Sequence, residues 1–195
     1  MSTPSASSPH QHLVATPGQT IGPFFGCALP FVGGDLLVPA SHPGAVRLRG
    51  TVLDGRGEPV PDALVEIWQA GADGSAPRAE GSLRRDPFEF TGFGRTPVDP
   101  AGRFSFTTVV PGPSAPGRAP FVAVTVFARG LLDRLLTRAY LPVDEAALAS
   151  DPFLAGLPED RRRTLVATRD EHGFVFDVRL QGEDETVFLT HGRSA

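Results

Sequence analysis

A chain of 195 residues can bury a core of its own, and its 20 Pro and 22 Gly favour many turns and short strands over long helices. Eighteen basic against 22 acidic residues give a formal net charge of −4, which excludes a basic surface for nucleic acid. The single Cys, Cys27, excludes an internal disulfide and a cysteine metal cluster, fits a reducing cytoplasm, and reads as a small buried filler.

Residues 1–15 are rich in Ser, Pro and His and carry too little apolar surface to order, so a disordered tail is expected, with His10 and His12 solvated. That start lacks the basic residues and continuous apolar core of a signal peptide, and no apolar run reaches bilayer length, so a cytoplasmic protein is expected. From Thr16 to Phe25 two Pro and two Gly fix an irregular path while Ile21, Phe24 and Phe25 ask for burial. This is an ordered, non-helical arm, and two uses are open to it: covering its own core, or docking on a partner or a site. The arm with its connector spans 16–45, and residues 16–195 are expected to form a single β-sandwich domain.

Residues 46–53 alternate apolar and polar and end at the turn Asp54-Gly55-Arg56-Gly57, which predicts a strand. Residues 63–69 predict the next, with Trp68 expected in the core although an aromatic at a strand end can also floor a pocket. Residues 75–94 are polar and irregular and predict a long loop, followed by Arg95 in a glycine-rich turn, where an ion pair is favoured over a ligand contact. After the turn at Asp99-Pro100-Ala101-Gly102, residues 103–109 predict a strand with Phe104 and Phe106 on one face. The most β-prone run is 120–128, a central strand that ends abruptly at Arg129 and Gly130. Residues 131–141 are ambiguous between strand and helix, with Tyr140, the only Tyr, half-buried. Segments 144–149 and 158–165 predict short helices, with Arg161, Arg162 and Arg163 solvated. Residues 174–180 and 186–189 predict a closing hairpin-like pair, and His172 and His191 read as surface residues.

Many short strands with turn residues between them and only minor helix predict an all-β fold, a sandwich of mostly antiparallel strands with an extended N-terminal arm. No βαβ rhythm, repeat, P-loop, HExxH or GxSxG pattern is present.

Five stretches carry a resemblance: TPGQTIGPFF at 16–25, GTVLDGRGEPVPDALVEIWQA at 50–70, FGRTPVDPAGRFSFTTVVPG at 93–112, APFVAVTVFARG at 119–130 and FDVRLQGEDETVF at 176–188. In this order and spacing they resemble the intradiol ring-cleavage dioxygenases, and within them the alpha subunits of heteromeric members acting on the aromatic acid protocatechuate. The resemblance implies cleavage of a catechol ring by O₂ at a ferric ion held by two tyrosinates, two histidines and a hydroxide. The family's tyrosine positions fall at about Ala76 and Ser114, and its His-x-His positions at Phe121 and Ala123. The resemblance therefore implies that this chain holds no catalytic metal, and that Fe(III) is bound by a homologous beta subunit as partner. This chain then contributes substrate-binding residues: Arg129 toward the substrate carboxylate, and Thr20, Gly22 and Pro23 from the arm. Two other readings stand beside it: a non-catalytic β-sandwich scaffold of transthyretin-like type, and a standalone dioxygenase with rearranged ligands. The last fits poorly, because Tyr140 is the only tyrosine.

Overall fold

The computed structural model of the chain describes residues 24–77 and 89–190. Thr20, Gly22, Pro23, His10, His12 and His191 lie outside the described residues. In chain order the elements are α1 (Phe25–Ala28), β1 (Ala45–Leu53), β2 (Leu64–Gln69), β3 (Phe93–Pro97), β4 (Arg103–Val109), β5 (Phe121–Phe127), β6 (Leu135–Tyr140), α2 (Glu145–Ser150), α3 (Pro152–Ala155), α4 (Glu159–Arg163), β7 (Thr168–Asp170), β8 (Gly173–Val175) and β9 (Val178–Arg179). The strands form two sheets. One runs β4-β1-β8-β7 with β9 also paired to β1, and the other runs β3-β2-β5-β6. All pairings are antiparallel except those of β8 and β9 with β1. This is the expected sandwich.

Period-two alternation decides which side chains meet between the sheets. Leu48 and Val52 on β1 and Phe104 and Phe106 on β4 face Val65 and Ile67 on β2 and Val122, Val124 and Val126 on β5, all buried in one cluster. Each such side chain contributes about 1.5–3 kcal/mol on burial. β5 lies between β2 and β6, so the most apolar run is an interior strand, as its composition predicts. A second cluster of Ala119, Tyr140, Leu154 and Leu165 packs the short helices against the end of this sheet. Asp151 fixes those helices. Its buried carboxylate accepts from the backbone N–H of Ala119, Phe153 and Leu154, capping α3.

Several expectations are corrected. Phe93 and Gly94 open β3 rather than ending a loop, because Glu66 and Arg95 are cross-strand partners. The ambiguous stretch 131–141 holds a strand, and Tyr140 in it is fully buried rather than half-buried. The predicted C-terminal hairpin forms no strand ladder, although Thr186 N–H donates to Arg179 O (3.0 Å) and Thr186 Oγ1 accepts from Arg179 N–H (2.9 Å). Residues 174–180 are split instead into β8 and β9, because the Asp177 carboxylate accepts from Thr51 N–H (2.8 Å) where a ladder bond would fall. β8 forms its antiparallel pair with β7. Arg162 is not simply solvated: its guanidinium donates to the carbonyls of Leu154 and Leu157. Cys27 is exposed rather than a buried filler, on a single helical turn where a non-helical arm was expected. Phe25 is buried, but Phe24 is 73% exposed.

Candidate functional site

The described residues singled out for function lie on the four-stranded sheet or on the loops and turn that flank it, at two separate ends. At the first end, strand register places Trp68 opposite Ala123 and Ala123 opposite Arg138, with Phe121 opposite Tyr140 two residues along. The loops that follow β2 and β4 close over this end. They approach so tightly that side chains are excluded: Gly74 has φ +82°, and a Cβ there would strike the carbonyl of Pro113. A Cβ on Gly112 would fall 2.5 Å from Ala72 O, and Gly112 N–H donates to Gly71 O at 2.8 Å. Asp73 closes the first loop by accepting from the hydroxyl and the backbone N–H of Ser75, and these two bonds hold its carboxyl below the usual range.

The loops bring Ala76 and Ser114 beside Phe121 and Trp68 around a cavity of about 130 Å³. Ala123 is the cross-strand neighbour of Trp68. Ala76, Ser114 and Phe121 therefore line one cavity and Ala123 adjoins it through Trp68, and none of the four side chains carries a nitrogen or anionic oxygen suited to ferric iron; Ser114 offers a neutral hydroxyl alone. The residues present do not fit that ion. Among the described residues no group of three or more His, Cys, Asp and Glu side chains is placed to hold a metal.

Tyr140 supplies no phenolate. Its side chain is fully buried, and its hydroxyl accepts from an Arg138 Nη at 3.2 Å. Desolvation dominates over that contact and pushes the phenol's pKa up from its ordinary value, so the ring stays neutral. The Arg138 guanidinium stacks over Phe121 at 4.3 Å and Phe153 at 4.9 Å. A cation thus sits directly across the strand from Ala123. Beneath the cavity, Gln69 ties the two sheets together: its amide donates to Val109 O (2.8 Å) and its oxygen accepts from Thr108 Oγ1 (2.8 Å). Trp68, expected in the core, is 46% exposed, because position 68 falls on the outer face, opposite in parity to the buried Ile67 and Gln69.

Arg129 lies at the other end, roughly 20 Å from Ala123 at about 3.3 Å per residue of strand. β5 stops at Phe127, so Arg129 sits in the following turn rather than on the strand itself. It pairs with Asp62 (Nε to Oδ2, 3.0 Å) and is 74% exposed. Phe25 stacks on Phe127 with ring centroids 6.5 Å apart. The described chain therefore begins at the Arg129 end of the sheet, with Phe24 directly following Pro23 in sequence. Nearby, Arg95 makes the expected ion pair with Glu66, donates to Leu29 O (2.9 Å), and so anchors the connector after α1.

Sequence reasoning missed Arg138, Gln69 and Asp62. Their roles come from cross-strand register, which single strands do not encode; Asp62 alone had a signal, lying two residues before a strand whose partner ends two residues before Arg129.

The chain matches the family model described as Dioxygenase over residues 22–182. It is 41% identical over 194 residues to the protocatechuate 3,4-dioxygenase alpha chain of Burkholderia cepacia, covering 91% of this chain and 98% of that one. It is 36% identical over 157 residues to the beta chain from the same organism, covering 72% and 66% respectively. Its fold resembles the hydroxyquinol 1,2-dioxygenase of Pseudomonas putida DLL-E4, with a TM-score of 0.56 at 20% identity over 87% of this chain and 68% of that structure.

Proposed function

This chain belongs to the Dioxygenase family of intradiol ring-cleaving enzymes, and from that premise we propose that it acts as the alpha subunit of a protocatechuate 3,4-dioxygenase. The reaction is O₂-dependent cleavage of protocatechuate between its two hydroxyl-bearing carbons, giving 3-carboxy-cis,cis-muconate. The family depends on ferric iron, which activates the bound catecholate ring toward O₂. In this reading the iron belongs to a homologous beta subunit, and the assembly works in the cytoplasm.

One observation carries the reading. Ala76, Ser114, Phe121 and Ala123 converge, yet none of them is a ligand for ferric iron. A chain built on this fold and emptied of ligand chemistry acts on substrate held elsewhere. What it can bring is at the opposite end of the sheet. Arg129 is exposed on the turn after β5, closed by Leu131 N–H donating to Ala128 O, and a guanidinium there binds a carboxylate as a planar fork. Thr20, Gly22 and Pro23 shortly precede Phe25, whose ring stacks on Phe127, and in this reading the arm and Arg129 act at one place on the partner's substrate. Arg129 orients the aromatic acid through its carboxylate, and the arm covers it from water.

The test is co-expression. This chain purified alone is expected to be colourless and inactive, and its complex with a beta-type chain carrying His-x-His to be red-brown and active on protocatechuate. Stoichiometric ferric iron and ring cleavage by the chain alone would overturn the proposal.

A further inference from the structure

The structure assigns Asp62 as a positioning residue for Arg129, and this rests on the substrate-binding role proposed for that arginine. The last paired residues of the ladder are Leu64 and Phe127. Extending that register by two residues on each strand brings Asp62 opposite Arg129. The contact is specific in its atoms: Asp62 Oδ2 lies 3.0 Å from Nε, the inner nitrogen of the guanidinium. This contact is an ion pair rather than a hydrogen bond directed along Nε–H, and among the described residues Arg129 makes no other ion pair. The outer edge, with its two terminal nitrogens, therefore remains for a second carboxylate in the end-on fork geometry.

An Asp62 carboxylate beside Nε does two things. It fixes the direction of a long side chain that is 74% exposed and would otherwise sample many rotamers, so less freedom is lost when substrate binds. It also dictates which edge of the guanidinium the substrate carboxylate meets. Asp62 is suited to this because it is itself held: it directly precedes Ala63 and Leu64, both buried, and its side chain is only 36% exposed. Arg129 thus acts as a fork with its handle clamped. Asp62 touches no reacting atom.

The experiment measures steady-state kinetics of the co-expressed complex on protocatechuate and on catechol, the same ring without the carboxylate. Asp62→Ala is expected to raise KM for protocatechuate by up to about fivefold, the scale of an exposed ion pair, with kcat holding. Asp62→Asn keeps an acceptor at the same place and is expected to stay within about twofold of wild type. Neither variant is expected to change KM for catechol. Arg129→Ala is measured alongside, because it separates the two assignments. If Arg129→Ala leaves KM for protocatechuate unchanged, the substrate-binding role of Arg129 fails, and Asp62 falls with it. If Arg129→Ala raises KM and Asp62→Ala does not, the positioning role alone is overturned. A lower KM in Asp62→Ala would make Asp62 a competitor of the substrate, and an equal rise on catechol would make it structural; either result overturns the inference.

Discussion

Replacing Gln69 by Leu tests whether the tie between the two sheets is as dry as the geometry requires. Gln69 is 1% exposed, and Thr108, whose hydroxyl donates to it, is fully buried. Leucine keeps nearly the same volume but deprives two buried groups of a partner at 2.8 Å: the Thr108 hydroxyl and the Val109 carbonyl. Each such orphan costs about 1–3 kcal/mol. The apolar replacement returns roughly 1–2 kcal/mol of transfer free energy, which leaves a net loss of about 2 kcal/mol. For a chain of this size that lowers Tm by about 4–8 °C. Urea denaturation followed by far-UV circular dichroism and by the fluorescence of Trp68, the only Trp, measures it. Adding Thr108→Val removes one orphan and is expected to recover about 1 kcal/mol relative to the sum of the single changes. A loss below about 0.5 kcal/mol, or strict additivity in the double variant, would refute the argument by showing that water reaches these groups.

Arg129→Ala in the assembled enzyme is expected to raise KM for protocatechuate by roughly 30-fold or more, because a desolvated carboxylate would lose its charged partner. Catechol, lacking the carboxylate, should be turned over as before, and an equal effect on both would remove Arg129 from this role. Arg95→Ala is expected to cost about 2 kcal/mol, since it strips a partner from the mostly buried Glu66 and the anchor from Leu29. Limited proteolysis should then cut within residues 26–44 before the sandwich unfolds, and unchanged cleavage would refute the anchoring. Tyr140 gives an unambiguous optical signal as the only tyrosine. Burial raises its pKa above the ordinary 10.0, so the neutral phenol favours the fold. That contribution is complete below pH 10 and is lost as pH rises through the folded value. Tyrosinate absorbance should therefore appear only above pH 10, with unfolding or beyond; titration near 10 in the folded chain would contradict the burial.

How much of this could be read from the sequence depends on which interaction sets each element. β1, β2, β4 and β5 were legible because alternation alone sorts their side chains, Leu48 and Val52 inward and Arg47 and Arg49 outward. β3 was not, because Phe93-Gly94-Arg95 has little intrinsic strand preference and becomes a strand through the Glu66–Arg95 pair. The C-terminal strands failed for the same kind of reason: Asp177 takes a backbone bond with its side chain, an event that propensity does not register. The candidate site shows the limit most clearly. Within β5, period two says that Phe121 and Ala123 share a face, but an apolar residue on the outer face looks the same in sequence as one in the core. Only resemblance to iron-binding chains singled those positions out. Only the close passage of Gly74 and Gly112 explains why Ala76 and Ser114 join them. The same register that sets Ala123 opposite Trp68 at one end of the sheet aligns Asp62 with Arg129 at the other. Strand pairing, rather than any motif, is what sets the cavity beside Trp68 and Phe121 apart from the end of the sheet that carries Arg129.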